Sequence, residues 1–154
     1  YESLPMKEII QSRCTTDTEN AGRHLADIFR EHGMRSATVA LHGEMGVGKT
    51  AFTRGFAAAL GVRGVKSPTY TVVNEYRGAG GAIFHFDLYR LEDEDDLCSV
   101  GFDDYLAREG FLLAEWPERA GALFPADAVH VTIERTDGGD GRQITLSFPD
   151  GMPR

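Results

Sequence analysis

Eight consecutive residues, Gly43, Glu44, Met45, Gly46, Val47, Gly48, Lys49 and Thr50, fill every fixed position of the pattern G-x-x-x-x-G-K-[ST]. The chemistry this spacing serves is the binding of a polyphosphate. Glycines let successive backbone N–H groups curl around a β-phosphate, and a helix starting at the lysine adds partial positive charge. Lys49 can then reach the β- and γ-oxygens, and the Thr50 hydroxyl can ligate magnesium. With 18 glycines in 154 residues such a match is expected by chance only about 0.004 times, so coincidence is a poor explanation. The candidate nucleotide contacts run from Glu44 through Lys49 and Thr50 to Ala51.

A nucleotide loop alone does not name a reaction, so the carboxylates that can hold a metal or orient water matter next. Asp87 closes the β-prone run around His85-Phe86-Asp87, and Glu115 follows Phe111-Leu112-Leu113-Ala114. Both are predicted at the C-terminal ends of strands, where open α/β sheets bind their ligands. An acid after an apolar strand is the usual place for a magnesium-linked carboxylate, although an ordinary strand-end acid has the same signature. Ser67, Thr69, Tyr70 and Thr71, with Pro68 among them, form a hydroxyl-rich segment about twenty residues after the loop, where several nucleotide-binding proteins carry a switch. Their β propensity equally suits a plain strand entry.

These residues need elements to hold them. The pattern predicts a helix over 17–32, opened by the capping-box spacing of Thr16-Asp17-Thr18-Glu19 and stopped by Gly33. A strand over 37–41, the glycine loop and a helix over 49–60 follow, the helix carrying Phe52, Phe56 and Leu60 at every fourth residue. Runs at 69–76 and 82–88 read as a hairpin across Gly78-Ala79-Gly80-Gly81. The acidic segment 92–96 leads into short helical patterns, and 111–114 reads as a buried parallel strand. A second hairpin is predicted from 128–135 and 142–148 around Asp137-Gly138-Gly139-Asp140-Gly141. The expected fold is α/β, a mostly parallel sheet of the P-loop NTPase kind flanked by helices, with antiparallel hairpin additions. Residues 16–149 form the expected single domain, 1–15 an extension and 150–154 a tail.

Composition narrows the partners. Sixteen basic against twenty-four acidic residues give a net charge of -8, the wrong sign for a protein that mainly grips phosphate backbones. No apolar run approaches the roughly 20 residues of a membrane span, so no membrane association is expected. Cys14 and Cys98 match no metal spacing, and a cytoplasmic location with reduced thiols is the expectation.

Taken in order, LHGEMGVGKT, SPTYTVVNEY, HFDLYRL, the acidic stretch ending near SVGFDDYL, and LLAEWPERAG closely resemble the TsaE (YjeE) family of bacterial ATPases required for threonylcarbamoyladenosine modification of tRNA. The resemblance spans most of the chain and leaves only the C-terminal hairpin generic. It implies ATP or ADP with Mg2+ bound between the glycine loop and the segments holding Asp87 and Glu115, on a sheet of unusual strand order. It also implies action with TsaB and TsaD, which transfer the threonylcarbamoyl group, so that tRNA is met only through the complex. Position by position, Lys49 and Thr50 match the nucleotide and magnesium pair, and Glu115 the magnesium-linked acid. Asp87 matches an acid needed for turnover, Trp116 an aromatic beside the nucleotide, and Thr69 and Tyr70 the switch.

The mechanism this implies is in-line attack by water oriented by Asp87 or Glu115, with Lys49 neutralising developing charge. No dedicated arginine finger is recognisable, so intrinsic hydrolysis is expected to be slow and raised by partners. Two other readings stand beside it. A small nucleotide or metabolite kinase would share the loop but usually clamps two phosphorylated ligands with several arginines. A nucleotide-dependent binding module would use ATP occupancy to hold a conformation.

Overall fold

The computed structural model describes residues 6–136 and 138–150. The expectations for residues 1–5, for Asp137 in the second hairpin turn, and for 151–154 of the tail lie outside the described residues. Twelve elements follow one another: β1 (Lys7–Ser12), α1 (Thr15–Glu31), β2 (Ala37–His42), α2 (Lys49–Ala59), β3 (Val73–Gly78), β4 (Gly81–Asp87), α3 (Glu94–Ser99), α4 (Phe102–Ala107), β5 (Phe111–Glu115), a 3-10 helix (Pro117–Leu123), β6 (Val129–Arg135) and β7 (Arg142–Ser147).

The strands form one mixed sheet in the order β1-β7-β6-β2-β5-β4-β3. Its centre is parallel, through the pairings of β2 with β5, β2 with β6, and β4 with β5. Its edges are antiparallel, through β3 with β4 on one side and β6 with β7 and β7 with β1 on the other. The α/β class and the two hairpin additions are as expected, but the sheet is mixed and not mostly parallel, because three of its six pairings, at the two edges, are antiparallel.

Each face of the sheet buries its own core. Alternation along β2, β4 and β5 sends Val39, Leu41, Ile83, Phe111 and Leu113 to the face covered by α1 and α2, where Leu25, Phe29, Phe52 and Phe56 meet them. Phe29 and Phe56 both pack on Phe111, at ring-centroid distances of 5.5 Å. The opposite residues, Phe84, Phe86, Leu112 and Ala114, pack beneath α3, α4 and the 3-10 helix with Leu97, Phe102 and Ala120. Two helical layers on a sheet therefore fix the strand ends in space.

Three sequence expectations are corrected. Helix α1 begins at Thr15 with Cys14 as its N-cap, and no side-chain cap forms there, so the capping box is not made. Half of its function is kept one register earlier: the Asp17 carboxylate accepts the Arg13 amide at 2.9 Å. Residues 69–72 are not strand. The Val72 amide donates to the Pro68 carbonyl at 2.8 Å and Val72 takes φ +69°, so the chain turns before β3 begins at Val73. Lys7–Ser12, within the stretch set aside as an extension, is the edge strand β1 paired to β7 from Lys7↔Ser147 to Ser12↔Arg142.

Candidate functional site

The row that closes the parallel sheet sets the site. Leu41 of β2 is in register with Glu115 of β5, and Glu115 with Asp87 of β4, so both acids stand side by side at the C-terminal ends of neighbouring strands. Both are buried. Beyond Leu41 the chain leaves β2 at His42, turns through residues 43–48 and enters α2 at Lys49.

The turn depends on its glycines. Gly43, Gly46 and Gly48 take φ of +147°, +76° and +124°, conformations that side chains disfavour, and a Cβ on Gly43 would lie 2.7 Å from the Ile133 carbonyl oxygen. Two arginines from the β6–β7 hairpin brace it. Arg135 Nε donates to Glu44 Oε1 at 2.6 Å, and Arg142 Nε donates to the Val47 carbonyl at 2.8 Å. Helix α2 starts without a side-chain cap and without an acid in its first turn, which leaves its N-terminal amides available for an anion.

Lys49 lies at the centre. Only 4% exposed, it donates from Nζ to the Gly43 carbonyl at 2.7 Å and lies 4.3 Å from the centroid of the Trp116 ring. Burial pulls its ammonium below the usual lysine range, opposed by the carboxylates of Glu115, Asp87 and Glu118. An ammonium has three protons to donate, and this one has a single hydrogen-bond acceptor among the described residues, so it retains donor capacity toward the turn.

The two acids are held differently. Asp87 Oδ2 accepts from the Thr69 hydroxyl at 3.2 Å and Oδ1 from the Tyr89 amide at 3.0 Å. Glu115 Oε2 pairs with His85 Nε2 at 2.8 Å inside the sheet. The non-glycine residues with positive φ among the described residues, Val72 and Trp116, adjoin these acids. The Asp87 amide donates to the Val72 carbonyl at 2.8 Å, and Trp116 directly follows Glu115. Bulky side chains in this conformation cost on the order of 1–3 kcal/mol each, strain that clusters at functional sites.

The structure thus brings Lys49, Asp87, Glu115, Trp116 and Thr69 to one place, with Thr50 one residue along α2. It separates others from the acids. Ser67 hydrogen-bonds the Thr69 hydroxyl at 2.7 Å, Thr71 turns to Asn74 at 2.7 Å, and Tyr70 is 84% exposed with Arg90 stacked on it. Met45 is exposed at the tip of the turn, whereas Val47 is buried beneath it. Gly46, Val47, Gly48 and Ala51 line a groove of about 300 Å³ with Cys14 and Thr18 of the α1 entrance. Sequence reasoning missed His85, which a periodicity of two from Asp87 would have placed on the same face, and the bracing role of Arg135 and Arg142, for which no local signal exists. It also missed His42 and His130, whose rings stack at 5.1 Å with Nε2 and Nδ1 2.8 Å apart.

The donor types suit a hard cation shared with a phosphate. No group of three or more His, Cys, Asp or Glu side chains able to hold a metal occurs among the described residues, so there is no all-protein cage. The Thr50 hydroxyl and the Glu115 carboxylate each offer one oxygen, and magnesium can take few oxygens from a protein when water and phosphate supply the rest. No helix among the described residues is long and apolar enough to cross a membrane.

Comparison with known proteins gives a consistent family. The model of the family described as threonylcarbamoyl adenosine biosynthesis protein TsaE matches residues 12–144. The tRNA threonylcarbamoyladenosine biosynthesis protein TsaE of Haemophilus influenzae is 42% identical over 127 residues, covering 81% of this chain and 79% of that protein. Its namesake in Treponema pallidum is 30% identical over 137 residues, covering 88% and 97%. The crystal structure of Bacillus subtilis YdiB superposes with a TM-score of 0.77 over 99% of this chain and 92% of that one, at 24% identity, a likeness of fold.

Proposed function

The chain belongs to the TsaE family of threonylcarbamoyl adenosine biosynthesis proteins, and from that membership we propose that it is a P-loop ATPase that binds ATP with Mg2+ and hydrolyses it slowly, acting with TsaB and TsaD in the modification of tRNA. The observation that carries the reading is the buried Lys49 between the glycine turn and the paired strand-end acids Asp87 and Glu115.

In this reading the amides of residues 43–48 and the uncapped start of α2 take the phosphates. Lys49 exchanges the Gly43 carbonyl for phosphoryl oxygens, delivering a charge that burial has already desolvated. Thr50 and Glu115 would hold Mg2+, which when bound would neutralise charge on the phosphates. Asp87 orients the attacking water, because its carboxylate is positioned by the Thr69 hydroxyl and the Tyr89 amide. Trp116 walls the site on the side of the 3-10 helix.

Slow intrinsic turnover fits the engagement of four arginines of this chain. Arg135 and Arg142 brace the turn, Arg108 pairs with Glu75 at 2.7 Å, and Arg119 stacks on Tyr89. An arginine supplied in trans adds roughly 10³–10⁵ in rate to such sites, so partners have much to contribute. A kinase needs several arginines converging on a second phosphorylated ligand, and Arg108, Arg119, Arg135 and Arg142 are each engaged elsewhere.

The test is ATP hydrolysis by the purified protein with and without TsaB and TsaD. Stimulation by the pair, lost in Lys49→Ala, supports the reading. Equal rates with and without partners would remove the cooperative role, and an absence of ATP binding would remove the ATPase itself.

A further inference from the structure

His85 occupies β4 two residues before Asp87, fully buried on the face that α2 covers. A leucine there would extend the apolar row of Ile83 and Leu113. The imidazole instead sends Nε2 to Glu115 Oε2 at 2.8 Å, while its Nδ1 has no hydrogen-bond partner among the described residues. A polar group kept purely for stability would be expected to satisfy both ring nitrogens, because an unpaired buried polar atom is destabilising. This ring has one polar contact, and that contact is to an acid of the site.

The hydrogen bond also sorts the carboxylate oxygens. A carboxylate without a proton only accepts, so in that pairing Nε2 is the nitrogen that donates. Oε2 is thereby engaged from within the sheet, and Oε1 has no hydrogen-bond partner among the described residues. Asp87 is held otherwise, by Thr69 and Tyr89 on irregular segments outside the sheet. One acid is coupled to the turn at residues 67–72, the other to a buried side chain of the neighbouring strand.

We propose that His85 is a positioning residue, which clamps Glu115 by one oxygen so that the other faces the nucleotide-bound cation. The inference rests on the Mg–ATP reading above. Carboxylates that ligate metals are themselves held by hydrogen-bond partners behind them, and removing such a partner weakens metal affinity by about 10–100-fold.

The experiment is a titration of ATP binding followed by Trp116 fluorescence, in EDTA and then across Mg2+ concentrations, for the wild type, His85→Leu and His85→Gln. Glutamine places an amide donor near the position of Nε2, and leucine removes the donor at similar volume. The expected result for His85→Leu is unchanged ATP affinity in EDTA, with half-saturating Mg2+ raised about tenfold or more. His85→Gln recovers most of the loss, and His85→Leu adds nothing in a Glu115→Gln background. Should leucine prevent folding, His85→Asn, whose amide falls short of Glu115, takes its place. A variant that titrates with Mg2+ like the wild type, or that loses ATP equally in EDTA, overturns the positioning role. A wild type that binds ATP with no Mg2+ effect overturns the cation reading, and this inference with it.

Discussion

The Lys49 ammonium lies 4.3 Å from the centroid of the Trp116 ring while donating to the Gly43 carbonyl, so the site's central cation is parked on the chain's only tryptophan. A phosphate that draws Lys49 toward the turn must change the surroundings of that indole. ATP is expected to shift Trp116 emission saturably, and Lys49→Ala to alter the resting emission and abolish the shift. Titration with ATP and with adenosine separates the phosphate effect from that of the base. An unaltered spectrum on ATP binding would mean that Lys49 stays where it is.

Asp87 is tied to Thr69 by a 3.2 Å hydrogen bond, which links the hydroxyl-rich turn to the acid proposed to orient water. Asp87→Asn keeps the shape and removes the basic oxygen. ATP binding should remain within a few-fold, while partner-stimulated hydrolysis falls by about 10²–10⁴. Thr69→Val should lose less, since Tyr89 still holds the other oxygen. If Asp87→Asn hydrolyses normally, the water is oriented by another group. If modification by the purified assembly survives its loss of hydrolysis, ATP occupancy is sufficient.

Local patterns made much of this legible. The strand, turn and helix around Lys49 announce themselves within 24 residues, and the apolar runs ending at Asp87 and Glu115 place both acids at strand ends without reference to the rest of the fold. Relations across the sheet are another matter. Edge strand β1 has Ile9 60% exposed and reads as an ordinary polar stretch, because only its pairing with β7, more than a hundred residues away, makes it a strand. The stretch 69–72 has the propensity of a strand, but the turn closed by Pro68 and Val72 overrides it. His85 was hidden for a related reason. The alternation of Phe84, His85, Phe86 and Asp87 puts His85 on the face of Asp87, but nothing local gives its contact with Glu115 of β5, 30 residues away.

Helices α1 and α2 cross at two glycines. A Cβ on Gly22 would collide with the Phe52 carbonyl, and one on Gly55 with the backbone of Glu19. Helix propensity alone predicts that alanine stabilises such positions by about 1 kcal/mol. The backbone collision reverses the sign, because neither carbonyl can rotate away as a side chain would. Gly55→Ala is expected to destabilise by about 1–3 kcal/mol, lowering Tm by about 2–4 °C per kcal/mol. A raised Tm would show that the helices have room to part. Since α2 carries Lys49 and Thr50, ATP affinity should weaken in the same variant.

His42, the last residue of β2 before the turn, is held below its ordinary pKa of 6.5, chiefly by burial and then by His130 of β6, with Lys49 of α2 adding and Glu118 of the 3-10 helix opposing. The neutral imidazole is therefore the form the folded state prefers. Well above pH 6.5 the residue is neutral whether the chain is folded or not, and contributes no pH dependence. As the pH falls below that value the unfolded chain takes up the proton first, so stability declines until the folded state protonates as well. His42→Gln should flatten this part of the stability profile between about pH 7.5 and about pH 5, measured as the difference in Tm from the wild type at each pH. A difference that is constant across the range would mean that His42 ionises alike in both states, and that its contact with His130 is independent of its charge.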